Sequence, residues 1–286
     1  MRSLFVGLAF VSGLFVVVGF SGPIHRSIDT ISMGLPVFGL VCIIGIFAAK
    51  QVWLRLFFAT TAIAACLTVA SFFLPQNPGG DLRLYSKNLW YANSQLPALV
   101  ADIEAAQVEV VMLQEVSDRN KVVLELLQKS FPFQHLCRFS GWSGIALASR
   151  YPFDGEPECS NWRAVAVAPI RLEGRRVWLV SAHIPWPWPY DSINNETEAE
   201  RVLAGLEGMV VIGGDFNIMP WTGRVRRIAS ITNTKIAGPV RPTLKFRNLP
   251  LPIDFAMGPK GGSLEVRPLL GSDHAGIVAN LKLWSP

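Results

Sequence analysis

The chain changes its hydrophobic rhythm once, near residue 80. Before that point three uncharged runs follow one another: Ser3–Ile24, Thr30–Ala49 and Leu56–Gly80, the last apolar only to about Leu74. Each approaches the roughly 20 residues a helix needs to cross a hydrocarbon core. The pattern predicts three transmembrane helices, over about 4–20, 31–49 and 55–74. A cleaved signal peptide fits the first run taken alone, but two further spans follow it at short distance. LPQNPGGD, Leu74–Asp81, has two prolines and two glycines and predicts a linker over 75–81. The expected organisation is a membrane anchor, 1–74, and a second domain, 82–286.

Beyond the linker, short apolar or alternating runs exchange with helical spacing. Strands are expected at 82–90, 108–116, 143–150, 163–172, 175–184 and 209–217, with a closing pair in IDFAMG and AGIVANLKLW. Amphipathic helices are expected at 96–107, 120–131 and 196–207. Many of the strands are apolar on both faces. That implies an α/β domain in which two sheets pack together and helices cover their outer sides.

Charge sharpens the division. Residues 1–80 carry only Arg2, Arg26, Asp29, Lys50 and Arg55, so most of the formal charge of +5 sits there and the second domain is nearly neutral. Such a balance gives no charge-based case for a nucleic-acid partner. Arg2, Lys50 and Arg55 flank the spans on one side, whereas Arg26 in the first loop is offset by Asp29. By the positive-inside rule the amino terminus faces the cytoplasm and the second domain lies outside it. None of the spans contains an ionisable residue, which removes the usual mark of a transporter or channel. Cys42 and Cys66 fall in spans, and Cys137 and Cys159 are left as a pair whose bonding depends on a distance the sequence does not give.

Polar residues recur where apolar runs stop. Asn88 follows LRLYSK, Glu115 follows VVMLQ and His183 follows VWLVSA. Asp215 and Asn217 close VVIGGDFN, Asp254 follows LPI, and Asp273 and His274 precede AGIVANL. Strand ends reach solvent while strand middles are sealed, so these groups are expected to gather at one rim. A single glutamate or histidine at such a place is usually a solvated end or a structural hydrogen-bonder; the set together points to chemistry. Two residues apart, Asp215 and Asn217 would share one side of an extended segment.

In order and spacing, Asn88, QEV with Glu115, SAH with His183, GDFN with Asp215 and Asn217, IDF with Asp254, and SDH with Asp273 and His274 resemble the endonuclease/exonuclease/phosphatase superfamily. Its members include DNase I-like nucleases, apurinic endonucleases, inositol-polyphosphate phosphatases and sphingomyelinases. With hydrophobic spans ahead of the domain, the chain is similar to bacterial membrane-anchored members. The resemblance covers 81–286 and implies a four-layer α/β/β/α sandwich of DNase I-like type and metal-dependent hydrolysis of a phosphate ester. It implies Glu115, with Asn88 and Asp273, as ligands of Mg²⁺, for which Mn²⁺ can substitute. Asp215 is then expected to orient or deprotonate the attacking water, and Asn217 to donate to a phosphoryl oxygen. His274, oriented by Asp254, would contact the scissile phosphate. His183 would be a second phosphate or leaving-group contact, with a purely structural role as its competitor.

The substrate is less constrained. A lipid headgroup or small phosphate ester competes with nucleic acid, and a catalytically silent binding module is the reading from another class. No protein partner is expected. IPWPWPY after His183 is either an aromatic wall at the mouth of the site or a rigid loop packed on Trp221 or Trp162. RVRR, Arg224–Arg227, is either an anion-binding cluster or, as the commoner case for short arginine runs, the solvated face of a helix.

Overall fold

The computed structural model describes residues 2–21, 28–76, 78, 80–187 and 193–284. Arg26 of the first loop, Asn77 and Gly79 of the linker, and Trp188–Tyr190 of the proline-rich loop lie outside the described residues. The chain separates into two units: 1–74 with 218–227, and 75–217 with 228–286.

In the first unit the apolar runs form α1 (Arg2–Gly19), α2 (Asp29–Met33), α3 (Leu35–Ala48) and α4 (Val52–Phe73). Two of them, α1 and α4, are long and apolar enough to cross a membrane. The expected span over 31–49 is divided, because Gly34 separates α2 from α3 and Pro36 sits in the first turn of α3, where its missing N–H is tolerated. At 14 residues α3 is about 21 Å long, less than a hydrocarbon core. The three long helices meet through the small side chains of Ala9, Cys42, Ala49 and Ala62 packed around Phe58, while other large apolar groups point outward, Phe47 at 80% exposure. Arg2 Nε donates to the Ala48 carbonyl at 2.7 Å and Arg55 Nε to that of Ala49 at 2.9 Å. The basic residues Arg2, Lys50 and Arg55 thus gather at one end of the bundle.

Residues 218–227 belong to this unit. The Trp221 indole N–H donates to the Ser32 carbonyl at 3.0 Å, and its ring lies 6.4 Å from those of Phe72 and Phe73. Arg227 pairs with the buried Asp29 at 3.1 Å, and Arg224 is fully buried. The expectation of a solvated RVRR face is therefore overturned: the segment is helical, but its arginines serve a buried carboxylate and the interior.

The second unit runs β1 (Leu82–Asn88), α5 (Leu96–Ala105), β2 (Val110–Gln114), α6 (Val122–Leu127), β3 (Phe133–Arg138), β4 (Gly144–Ser149), β5 (Glu158–Cys159), β6 (Val165–Leu172), β7 (Arg175–His183), α7 (Ile193–Ala204) and β8 (Met209–Asp215). After α8 (Gly223–Thr232) come β9 (Lys235–Ile236), a hairpin of β10 (Leu244–Phe246) and β11 (Leu249–Leu251), then β12 (Asp254–Gly258), β13 (Gly262–Val266) and β14 (Ile277–Leu281). One six-stranded sheet has the order β13-β14-β1-β2-β4-β3 and the other β5-β6-β7-β8-β12-β9.

Strands sealed on both faces explain the unbroken apolar runs. On the outer face of the first sheet, Leu99 and Ile103 of α5 and Val123 and Leu127 of α6 pack on Val111, Leu113 and Ala146. The inner face meets the second sheet so closely that a Cβ on Gly213 would lie 2.9 Å from Met112 Sδ and 3.2 Å from Leu84. The neighbouring Gly214 has no room either, its Cβ position being filled by the Ala182 backbone. Gln114 Nε2 donates across the interface to Ser181 Oγ at 3.0 Å. In the second sheet β7 and β8 are parallel, which requires the crossover supplied by α7, and Ala199, Val202 and Leu203 of that helix are buried.

Cys137 on β3 and Cys159 on β5 form a disulfide with Cα atoms 5.5 Å apart. These are edge strands of different sheets, so the bond staples one sheet to the other. The linker is likewise held: the Pro78 carbonyl accepts from Ser263 Oγ and Asn280 Nδ2, and the Asp81 carboxylate accepts from the Leu283 and Trp284 amides and Lys282.

Candidate active site

Strand register assembles the site. His183 at the end of β7 stands level with Asp215 at the end of β8, and Asp254 at the start of β12 pairs with Asp215 from the other side. In the opposing sheet Asn88 at the end of β1 is level with Gln114, one residue before Glu115. Asn88 joins the two rims: its Nδ2 lies 3.1 Å from Glu115 Oε1 and 3.0 Å from Asp215 Oδ2. Backbone amides complete the arrangement, Tyr91 N to Glu115 Oε2 at 3.1 Å and Asn217 N to Asp215 Oδ1 at 2.9 Å.

Asn217 reaches the site differently from the sequence expectation. The strand ends at Asp215, and Asn217 has φ of +49°, so a left-handed turn and not pleat alternation brings it round. Glu115 also sits at a positive φ, +53°. Non-glycine residues of positive φ are uncommon, and these two are among several that the chain contains.

The loop carrying Asp273 and His274 is pinned from below. Ser272 Oγ donates to the Asn88 carbonyl at 2.7 Å and accepts the His274 amide at 3.0 Å. The Lys87 ammonium, fully buried, donates to the His274 carbonyl at 2.7 Å and to that of Pro268 at 3.2 Å. Burial lowers the Lys87 pKa to about 8, against the raising influence of Asp254, Asp102 and Asp273. His274 Nδ1 meets Asp254 Oδ2 at 2.9 Å, and the Thr243 hydroxyl donates to that same oxygen.

Electrostatics divide the titrating groups. Asp215 is raised to about 7, first by burial and then by the charge of Asp254. Burial works against a charge on His274, but Asp254 and Asp215 outweigh it and raise the imidazole to about 10. His183 is pushed well below the usual histidine range by burial, then by the charges of Arg163 and His274. Its Nε2 lies 3.9 Å from Glu115 and 3.8 Å from Asp215, and its buried Nδ1 has no partner. One imidazolium and one neutral imidazole therefore flank a carboxylate of raised pKa, a separation typical of sites that move protons.

Glu115, His183, Asp215, Asn217, Asp273 and His274 all line one cavity of about 990 Å³. Arg163, Trp142, Pro185, Trp186, Phe246 and Arg247 line it too. Trp186 thus belongs to the wall of the site, as one of the two expectations for the proline-rich loop had it. For a divalent cation the donor set fits: Glu115 and Asp273 offer carboxylate oxygens and Asn88 an amide oxygen, the hard ligands that Mg²⁺ prefers. The carbonyl side of the Asn88 amide, which now accepts from Trp90 N, would have to turn inward. Asp215, Asp254 and His274 also place ligand atoms within 4.8 Å of one another. This is a second group in the same site that could hold a cation. Sequence reasoning located every one of these strand-end groups but missed Lys87, Ser272, Thr243 and Arg163.

A two-sheet α/β fold with carboxylates, amides and imidazoles on one rim defines a class of phosphate-ester hydrolases. The sequence profile of the Endonuclease/Exonuclease/phosphatase family matches residues 85–274, and the chain belongs to that family. No curated protein matches it. Among solved structures, an endonuclease/exonuclease/phosphatase family protein from Leptotrichia buccalis is similar with a TM-score of 0.57 at 16% identity, over 71% of this chain and 100% of that one. TDP2 of D. rerio, complexed with a single-strand DNA product, gives 0.56 at 16% identity over 69% and 97%. A Staphylococcus aureus beta toxin variant with bound magnesium ions gives 0.53 at 16% identity over 71% and 100%. These likenesses support the DNase I-like fold.

Proposed function

We propose that this protein is a membrane-anchored, Mg²⁺-dependent phosphodiesterase that hydrolyses a lipid headgroup or small phosphate ester by direct attack of water. The observation that carries the reading is the convergence, on one cavity, of a buried carboxylate of raised pKa with an imidazolium and a neutral imidazole. Asp215, in its ionised form, takes the proton of the attacking water; a base with pKa near the working pH suits that task. His274, protonated through neutral pH and held by Asp254, places positive charge against the phosphoryl oxygens. Asn217 donates its second amide hydrogen there, the first being given to the Ile184 carbonyl at 3.1 Å. His183, kept neutral, contacts the leaving-group side. Mg²⁺, when held by Glu115, Asn88 and Asp273, supplies charge neutralisation on the phosphoryl group.

The anchor reading has a bacterial cytoplasmic membrane crossed by α1, by α2 and α3 in succession and by α4, with the catalytic unit outside; the outward apolar faces of α1, α3 and α4 support it. The basic end at Arg2, Lys50 and Arg55 supports the orientation, and the Cys137–Cys159 disulfide suits a compartment outside the cytoplasm. The test is turnover of bis-p-nitrophenyl phosphate by the full-length protein in detergent, with and without Mg²⁺, alongside phospholipid, single-stranded DNA and p-nitrophenyl phosphate. Mg²⁺-dependent cleavage that vanishes in Asp215→Asn is expected. A preference for DNA would make the protein a nuclease of the same family. No metal-dependent turnover of any ester would leave a silent binding module.

A further inference from the structure

Arg163 occupies the turn before β6 and is held there from α7. Its carbonyl accepts Asn195 Nδ2 at 2.6 Å, and two residues earlier the Asn161 amide donates to Glu198 Oε1 at 2.8 Å. The turn is closed underneath by Ser160, whose Oγ accepts the Val165 amide at 3.0 Å. The guanidinium is half-buried and stacks on the Trp142 ring, 5.2 Å from its centroid, with one nitrogen 3.3 Å from Ser143 Oγ.

No carboxylate touches the guanidinium: Glu115 and Asp215 attract it only from across the cavity, and burial outweighs them. Among the described residues it forms no ion pair, in contrast to Arg171, Arg201, Arg227 and Arg267, each of which meets a carboxylate within 3.1 Å. A half-buried cation with no anion in contact is costly unless something supplies one. Packing does not explain the position, since Trp142 is itself 52% exposed and belongs to the cavity wall. Arg163 lines the same cavity as Glu115, Asp215 and His274, and a planar fork with five donors, one engaged by Ser143, matches the geometry of phosphate oxygens.

We infer that Arg163, stacked on Trp142 and steadied through Asn195, is an anion-binding residue of this site that grips the non-bridging oxygens of a phosphate group. The inference rests on the phosphoesterase reading for the identity of the anion. It adds a second cationic contact beside His274, supplied by the turn that leads into β6.

The test uses the full-length protein in detergent with Mg²⁺, and inorganic phosphate as the probe. Binding is followed by calorimetry and by tryptophan fluorescence, on which Trp142 reports. Arg163→Gln should weaken phosphate binding about 10- to 100-fold, the scale of one or two lost charge-assisted hydrogen bonds. Arg163→Lys, which keeps the charge and the fold but not the fork, should fall between Arg163→Gln and the unmodified protein. Arg171→Gln, on the exposed Asp154 pair, should leave binding unchanged. Phosphate binding by Arg163→Gln equal to that of the unmodified protein, or no phosphate binding by the unmodified protein, would overturn the inference. Arg163-dependent phosphate binding without hydrolysis of any ester would remove the enzymatic reading and leave the site. Hydrolysis with unaltered KM and kcat in Arg163→Gln would do the reverse.

Discussion

Asp102 and Asp215 are two carboxylates of one unit, both withdrawn from solvent, with opposite surroundings. Asp102 on α5 accepts a bond from each of two Arg267 nitrogens, at 2.5 and 3.3 Å, and from the Tyr85 hydroxyl at 2.9 Å. Burial raises its pKa, but those bonds prevail and keep the acid below the ordinary range. Asp215 has no guanidinium bound to it. Its neighbours are another carboxylate, two imidazoles at 3.8 Å and the Asn88 amide, and its pKa rises to about 7. The first cluster is complete in itself, so it belongs to the architecture. The second leaves an electrostatic demand that an incoming group can meet, which is how a functional site differs physically from a buried salt bridge.

The largest test of that contrast is Asp215→Asn. Turnover should drop about 10³-fold or more, within the range general-base catalysis contributes. The thermal midpoint should hold or rise, because a costly buried carboxylate has been removed. Initial rates and thermal unfolding of the same preparation decide the matter. If activity survives, Asp215 is as structural as Asp102.

Next in size is Asp254→Asn, which removes the anion holding the His274 proton. The His274 pKa should fall from about 10 toward the ordinary histidine range. Since the imidazolium exists only below its pKa, the alkaline limb of the rate profile should move to lower pH, with turnover down about 100-fold. A pH–rate series and imidazole NMR would show both effects; an unmoved alkaline limb would detach Asp254 from the histidine.

Asp102→Asn should act on the other side of the comparison. Leaving Arg267 without its carboxylate should cost about 2–3 kcal/mol in denaturant unfolding, somewhat less than fully buried pairs show because Arg267 is partly exposed. Activity per folded molecule should be unchanged.

Glu198 gives the smallest effect and an acid-side signature. Two bonds from Arg201 at 2.8 Å, joined by the Asn161 amide, lower it to about 2. A depressed acid stabilises the fold fully above its unfolded pKa and loses that contribution as pH falls through its folded one. The thermal midpoints of Glu198→Gln and the unmodified protein should therefore differ by a constant amount above about pH 5 and converge toward pH 2.

How much of this was legible in the sequence depends on what each element contacts. β1, β2, β4, β6, β7, β8, β12 and β14 are central, sealed on both faces, and their apolar runs mark them within a few residues. The edges β3, β5 and β9, the β10–β11 hairpin and β13 were not foreseen, because a half-exposed strand such as FQHLCR has no apolar run to announce it. The site shows the same division. Asn88, Glu115, His183, Asp215, Asn217, Asp254, Asp273 and His274 could be read because strand ends place them. Lys87, one residue before Asn88, is hidden by alternation, since a lysine inside a strand reads as solvent-facing and its partners, the Pro268 and His274 carbonyls, lie far along the chain. Arg163 is set by α7, whose Asn195 lies 32 residues further along. In the first unit, Gly34 and Pro36 were visible as residues but not as a break, because hydropathy alone runs through them.

One feature of the first unit bears on how such a protein can be rearranged. Ile218, the residue after Asn217, opens a stretch that groups with 1–74, where Trp221 finds Ser32, Phe72 and Phe73 and Arg227 finds Asp29. Severing the chain at 75–81 would separate the backbone there but leave a ten-residue graft without its bed. Recombination that moved residues 75–217 and 228–286 onto another helical unit would have to carry the graft's partners with it or replace both. The heritable module is discontinuous, and helical and sheet units of this design are expected to be exchanged as matched pairs.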